Sequence, residues 1–97
     1  MSFNRINAYH VMWLFVFFDL PVLTKLQRKQ ATQFRKVLEK DGFSMMQFSV
    51  YVRHCPSKEN MEVHIARVKS AIPETGLTSI LSITDKQFGG IRNFWGK

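Results

Sequence analysis

The chain has 97 residues, 45% of them hydrophobic and nine of them Phe, which describes one small globular domain and excludes a disordered chain. Fourteen Lys and Arg against seven Asp and Glu leave a net charge of +7, which favours an anionic partner, either nucleic acid or an acidic membrane surface. The lone Cys55 excludes a disulfide framework or a four-cysteine zinc site, and the longest apolar run, residues 11–18, is far short of the roughly 20 residues that span a bilayer.

Residues 1–9 read as an N-terminal arm and residues 10–97 as a single domain. His10 to Asp19 contains VMWLFVFF between polar ends, apolar on both faces, as a strand buried on both sides must be. Asp19-Leu20-Pro21 ends the run without the small-residue site of a cleaved signal peptide, so a cytoplasmic chain is expected. Thr24 and Gln27 have the spacing of a capping box and open a helix. Its apolar side is expected to hold Leu23, Gln27, Gln30, Phe34, Val37 and Leu38. Lys25, Arg28, Lys29, Arg35, Lys36 and Lys40 fill the remainder, and Asp41-Gly42 stops it.

Strand character returns over 43–46 and 48–54, with Gln47 expected at a tight turn or bulge. Phe48, Val50 and Val52 alternate with Ser49, Tyr51 and Arg53. Pro56 breaks the chain, and Ser57 caps a second helix with a stripe of Met61, Ile65, Val68 and Ile72. Pro73 and Gly76 end that helix. Leu77 to Asp85 alternates as an edge strand does. The tail carries Phe88, Gly89-Gly90, Ile91, Phe94 and Trp95.

Strand, helix, strand, strand, helix, strand is the α+β, ferredoxin-like arrangement. Right-handed crossovers place its first and third strands in the middle of the sheet. The apolar tail lies beyond a complete sheet, so a homodimer is expected in which an extra C-terminal strand is exchanged. Phe88, Ile91, Phe94 and Trp95 would form its interface.

Asp19 is the sharpest chemical feature. A carboxylate where a central strand leaves the core is placed to hold Mg²⁺ through water. The plainer reading is a turn cap before Pro21. One acid per protomer cannot build a two-metal phosphodiesterase, although a dimer bringing two copies together would hold one ion. On the first helix only Glu39 opposes Lys25, Arg28, Lys29, Arg35, Lys36 and Lys40. That excess suits phosphate contact, with Arg53, Arg67 and Arg92 as further candidates, and without a base-reading motif. The bland alternative is a solvated face. His10, His54 and His64 do not have zinc spacing, Cys55 is not read as a nucleophile, and Met45, Met46 and Met61 read as core filler. Ser49 and Tyr51 either share the side of Asp19 or lie on a plain sheet surface.

FFDLP at 17–21, TKLQRKQATQFRKVLEKDGF at 24–43, MMQFSVYVRHC at 45–55 and ITDKQF at 83–88 together resemble one family over nearly the whole chain. It is the small CRISPR-associated adaptation protein, the non-integrase subunit of the spacer-acquisition complex, in the form found beside single-effector systems. The resemblance implies a ferredoxin-like dimer with exchanged tail strands, bridging two integrase dimers around a short DNA duplex. It also implies a Mg²⁺-dependent endonuclease acting on RNA or DNA, with Asp19 as metal ligand and catalytic residue, near Ser49 and Tyr51. The single acid favours the DNA-holding scaffold. A toxin-like metal-dependent endoribonuclease is the alternative, and a small-molecule sensor fits poorly with the positive charge.

Overall fold

The computed structural model describes residues 11–96. The N-terminal arm 1–9 and His10 lie outside them, as does Lys97. Seven elements follow in order: β1 (Met12–Asp19), α1 (Lys25–Lys40), β2 (Ser44–Gln47), β3 (Val50–Cys55), α2 (Lys58–Ala71), β4 (Leu77–Thr84) and α3 (Asp85–Gly89). The sheet order is β2-β3-β1-β4, with every neighbouring pair antiparallel. This is the expected ferredoxin-like topology, with the first and third strands central and β4 at an edge. No helix among the described residues is long and apolar enough to cross a membrane.

Period-two alternation sorts β1. Leu14, Val16 and Phe18 are buried beneath α1 and α2 with Phe34, Leu38, Tyr51, Cys55, Met61 and Val68. The opposite face carries Trp13, Phe15, Phe17 and Asp19. Residues paired across strands share a face, so Val50 and Ser79 stand beside Phe17, and Val52 and Leu81 beside Phe15. Leu77 and Leu81 are exposed there. The apolar row of β4 therefore faces away from the helices.

The Thr24–Gln27 capping box forms as expected. At the other end of α1 the Phe43 N–H donates to Leu38 O at 2.9 Å and the Gly42 N–H to Glu39 O at 3.1 Å. This double bond needs a left-handed residue, and Gly42 supplies it at φ +87°. The buried stripe of α1 differs from expectation. It is Ala31, Phe34 and Leu38, whereas Leu23 and Val37 are exposed. Leu23 precedes the helix, and Val37 turns toward a groove between α1 and α2. On α2 the buried side chains are Met61, His64 and Val68, with Ile65 only half-buried.

The β2–β3 turn lies one residue later than expected. Gln47 pairs with Val50, Phe48 and Ser49 make the turn, and a register shift between Met45 and Gln47 supplies the bulge. Ser49 takes a left-handed φ of +65°, which serine tolerates better than a large side chain would. The tail differs too. Thr84 and Gln87 form a second capping box and open α3 directly after β4, and no strand follows within the described residues.

Candidate functional site

Asp19 is the last residue of β1 and is exposed. Its backbone position is held by Gly76, which enters β4 at φ +87°. A Cβ on Gly76 would lie 2.6 Å from the Asp19 carbonyl oxygen and 3.0 Å from Leu20 Cα, so only glycine permits this approach. Asp19 opens onto a shallow cleft of about 240 Å³ that Phe17, Phe48, Ser49, Leu77 and Ser79 also line. Among the described residues no donor reaches the Asp19 carboxylate, so the turn-cap reading has no hydrogen bond behind it.

Ser49 and Tyr51 part company. Ser49 lines the Asp19 cleft, whereas Tyr51 is buried beneath the helices with its ring 5.7 Å from that of Phe18. Burial pushes its phenol above the usual range, so it stays protonated. Cys55 is also buried, and burial raises its thiol pKa, which keeps it from acting as a nucleophile.

Among the described residues no three His, Cys, Asp or Glu side chains gather around a common point. The cleft offers one carboxylate and the hydroxyls of Ser49 and Ser79. That donor set suits a Mg²⁺ ion that keeps most of its water, and does not suit a pair of ions.

The basic residues divide into two groups. Lys25, Lys29, Lys36 and Lys40 are exposed along α1, and no carboxylate among the described residues pairs with them. Arg28, Arg35 and Arg53 are committed locally. Arg28 Nη1 donates to Val22 O and Leu23 O, both at 3.1 Å, and so clamps the loop between Asp19 and α1. Arg35 is half-buried, its guanidinium carbon 5.5 Å from the Phe18 ring centre and 4.8 Å from that of Phe48. Arg53 faces the helices and donates to the Asp41 carbonyl at 2.7 Å. It lies where a Cβ on Gly42 would fall, 1.8 Å from Nη1.

Two constellations escape a reading of the sequence. In the first, the Asp41 carboxylate is 2.6 Å from His64 Nδ1 and accepts from Arg67 Nη1 at 2.9 Å, joining the end of α1 to α2. The signal was His64 itself, which occupies a core position between Met61 and Val68. In the second, Trp13 Nε1 donates to Asp85 Oδ1 at 2.7 Å, and the Trp13 and Phe88 rings stack at 3.7 Å. Phe88 therefore packs against its own chain and holds α3 on the open sheet face. Its signal was Thr84–Gln87, the same capping spacing that marks α1. Beyond α3, Phe94 and Trp95 are 82% and 90% exposed.

The family model of CRISPR associated protein Cas2 matches residues 12–91. Three proteins named CRISPR-associated endoribonuclease Cas2 align over most of their lengths. That of Flavobacterium psychrophilum is 52% identical over 95 residues, covering 98% of this chain and 83% of its own length. That of Parvibaculum lavamentivorans is 51% identical, covering 89% of this chain and 85% of its own length. That of Ligilactobacillus salivarius is 42% identical with the same two coverages, 89% and 85%.

Proposed function

The chain belongs to the CRISPR-associated Cas2 family, and on that premise we propose that it is a DNA-holding subunit of the spacer-acquisition machinery. In this reading it works as a homodimer, bridges copies of the integrase subunit and grips a short duplex through its backbone phosphates. The observation that carries the proposal is the row of unpaired lysines on α1, set on the opposite side of the sheet from Asp19. Lysines without carboxylate partners are free to neutralise phosphates, and such contacts depend on charge and shape rather than on sequence. The exposed apolar face of Phe17, Leu77 and Leu81, together with Phe94 and Trp95, supplies material for association with a second copy.

A second reading has its own support. The relatives carry the name endoribonuclease, and the Asp19 cleft has the single carboxylate and flanking hydroxyls that a hydrated Mg²⁺ would use. When bound, that ion would polarise a phosphodiester and supply activated water. Asp19 would hold it, with Ser49 and Ser79 at its margin. One acid per protomer makes this the lesser activity.

The test is duplex binding measured across a range of salt concentrations. Charge reversal at Lys25, Lys29 and Lys36 should weaken binding to every sequence alike, and should flatten the logarithmic salt slope by about 0.9 per lost contact. Arg28 is left intact because its loss would also release the loop after Asp19. An unchanged slope in the triple variant overturns the proposal.

A further inference from the structure

We propose that Phe48, backed by Arg35, is a stacking platform for one unpaired nucleobase at the rim of the Asp19 cleft. The proposal rests on the reading of this chain as a nucleic-acid-binding protein and names a contact that the lysine row does not supply. Phe48 is 78% exposed at the first position of a two-residue turn, where polar or small residues are the ordinary choice. It is not a loose side chain. The Arg35 guanidinium carbon sits 4.8 Å from its ring centre and is backed in turn by the buried Phe18 ring at 5.5 Å. The Arg35 Nε is buried with no hydrogen-bond partner among the described residues, and the Phe18 and Phe48 rings are the contacts that place its guanidinium.

The result is a flat aromatic surface with a fixed positive charge behind it, on the rim of the cleft that contains Asp19 and Ser49. A nucleotide matches this combination part by part. Its base presents a π face to Phe48, its phosphate finds the Arg35 charge nearby, and its hydroxyls are within the polar reach of the cleft. Bases inside a duplex already stack on both sides, so the platform takes an unpaired base. An apolar partner side chain fits less well, because covering the ring would desolvate the adjoining guanidinium and carboxylate without pairing either.

The probes are short oligonucleotides, made in deoxy and ribo forms: a single strand, the same strand with one abasic position, and a blunt duplex. Phe48→Leu keeps an apolar side chain but removes the π face, and Phe48→Tyr keeps the face. The Leu variant should bind the base-bearing strand about fivefold or more weakly, the lower end of what one base–aromatic stack contributes. The Tyr variant should bind as the parent does. The abasic strand and the blunt duplex should not distinguish the three proteins. Whether the deoxy or the ribo strand shows the larger effect assigns the source of the base. Equal binding of the base-bearing strand by parent and Leu variant overturns the platform. So does an equal loss on the abasic strand or the blunt duplex, which would mark a backbone contact. Dissociation of a dimer by Phe48→Leu in sedimentation would give the ring to a second copy and overturns it as well. Loss of duplex binding in the parent itself would instead strike the DNA-holding proposal, which leaves the two failures distinguishable.

Discussion

Replacing Asp41 by Ala removes the carboxylate that ties α1 to α2. The Asp41 side chain is 11% exposed and that of its partner His64 only 6%. Their 2.6 Å contact is a charge-assisted hydrogen bond in a largely dry setting, worth about 1.5–3 kcal/mol. The Arg67 contact is 60% exposed at its guanidinium end and adds under about 1 kcal/mol. Asp41→Ala should therefore cost about 2–3 kcal/mol. For a chain of this length that is a fall in Tm of about 10–20 °C. Asp41→Asn keeps an acceptor oxygen and should lose about half as much. The backbone cap of α1 stays, because its bonds run from the Asp41, Gly42 and Phe43 N–H groups.

The pH dependence has a definite sign. Burial acts to raise the Asp41 pKa, but the hydrogen bonds from His64 and Arg67 and their charges outweigh it. The folded-state value lies below 3.8. The network's contribution is thus fully present above about pH 4 and is lost as pH falls through the lower folded-state value. Thermal melts of parent, Asp41→Ala and Asp41→Asn between pH 2.5 and 7 check both points. The parent should lose Tm more steeply below pH 4 than Asp41→Ala does, and the curves should converge there. An Asp41→Ala variant melting within about 2 °C of the parent at pH 7, with a parallel acid limb, would refute the reasoning.

Deleting residues 91–97 should weaken the proposed homodimer while leaving the melting temperature nearly unchanged, because the Trp13–Phe88 stack and α3 remain. Deletion from residue 88 should also lower the Tm, and an undiminished dimer in sedimentation after either deletion would rule out tail exchange. Asp19→Asn should melt as the parent does, since no donor among the described residues reaches the carboxylate. It should abolish any metal-dependent cleavage and leave spacer integration by the full complex intact. A well-folded Asp19→Asn that fails to integrate would place the metal site at the centre of function.

The element order was legible because each element announced itself locally. The eight-residue apolar run of β1, the Thr24–Gln27 box, Gly42 and the alternation of β4 are all short-range signals. Right-handed crossover then leaves one topology for the sheet. Asp19 was legible for the same reason, since a carboxylate ending a run apolar on both faces marks where the strand leaves the core, although the structure leaves the Phe17 face open. The second capping box, Thr84–Gln87, was equally local, and it shows the root of the tail as a helix rather than the start of an exchanged strand.

What remained depended on which residues meet across elements. Composition marked α1 as basic, yet only packing separated the free lysines from Arg28 on its loop and Arg35 between two rings. The pattern on β3 showed that Tyr51 and Arg53 share a face, and the helices above that face decided that it was the buried one. Asp41 and His64 are 23 positions apart, so their contact exists only once α1 and α2 lie side by side. Periodicity is a property of neighbours along the chain and can be read there. The partner of a charge or a ring is set by distance in space, and only the folded molecule contains it.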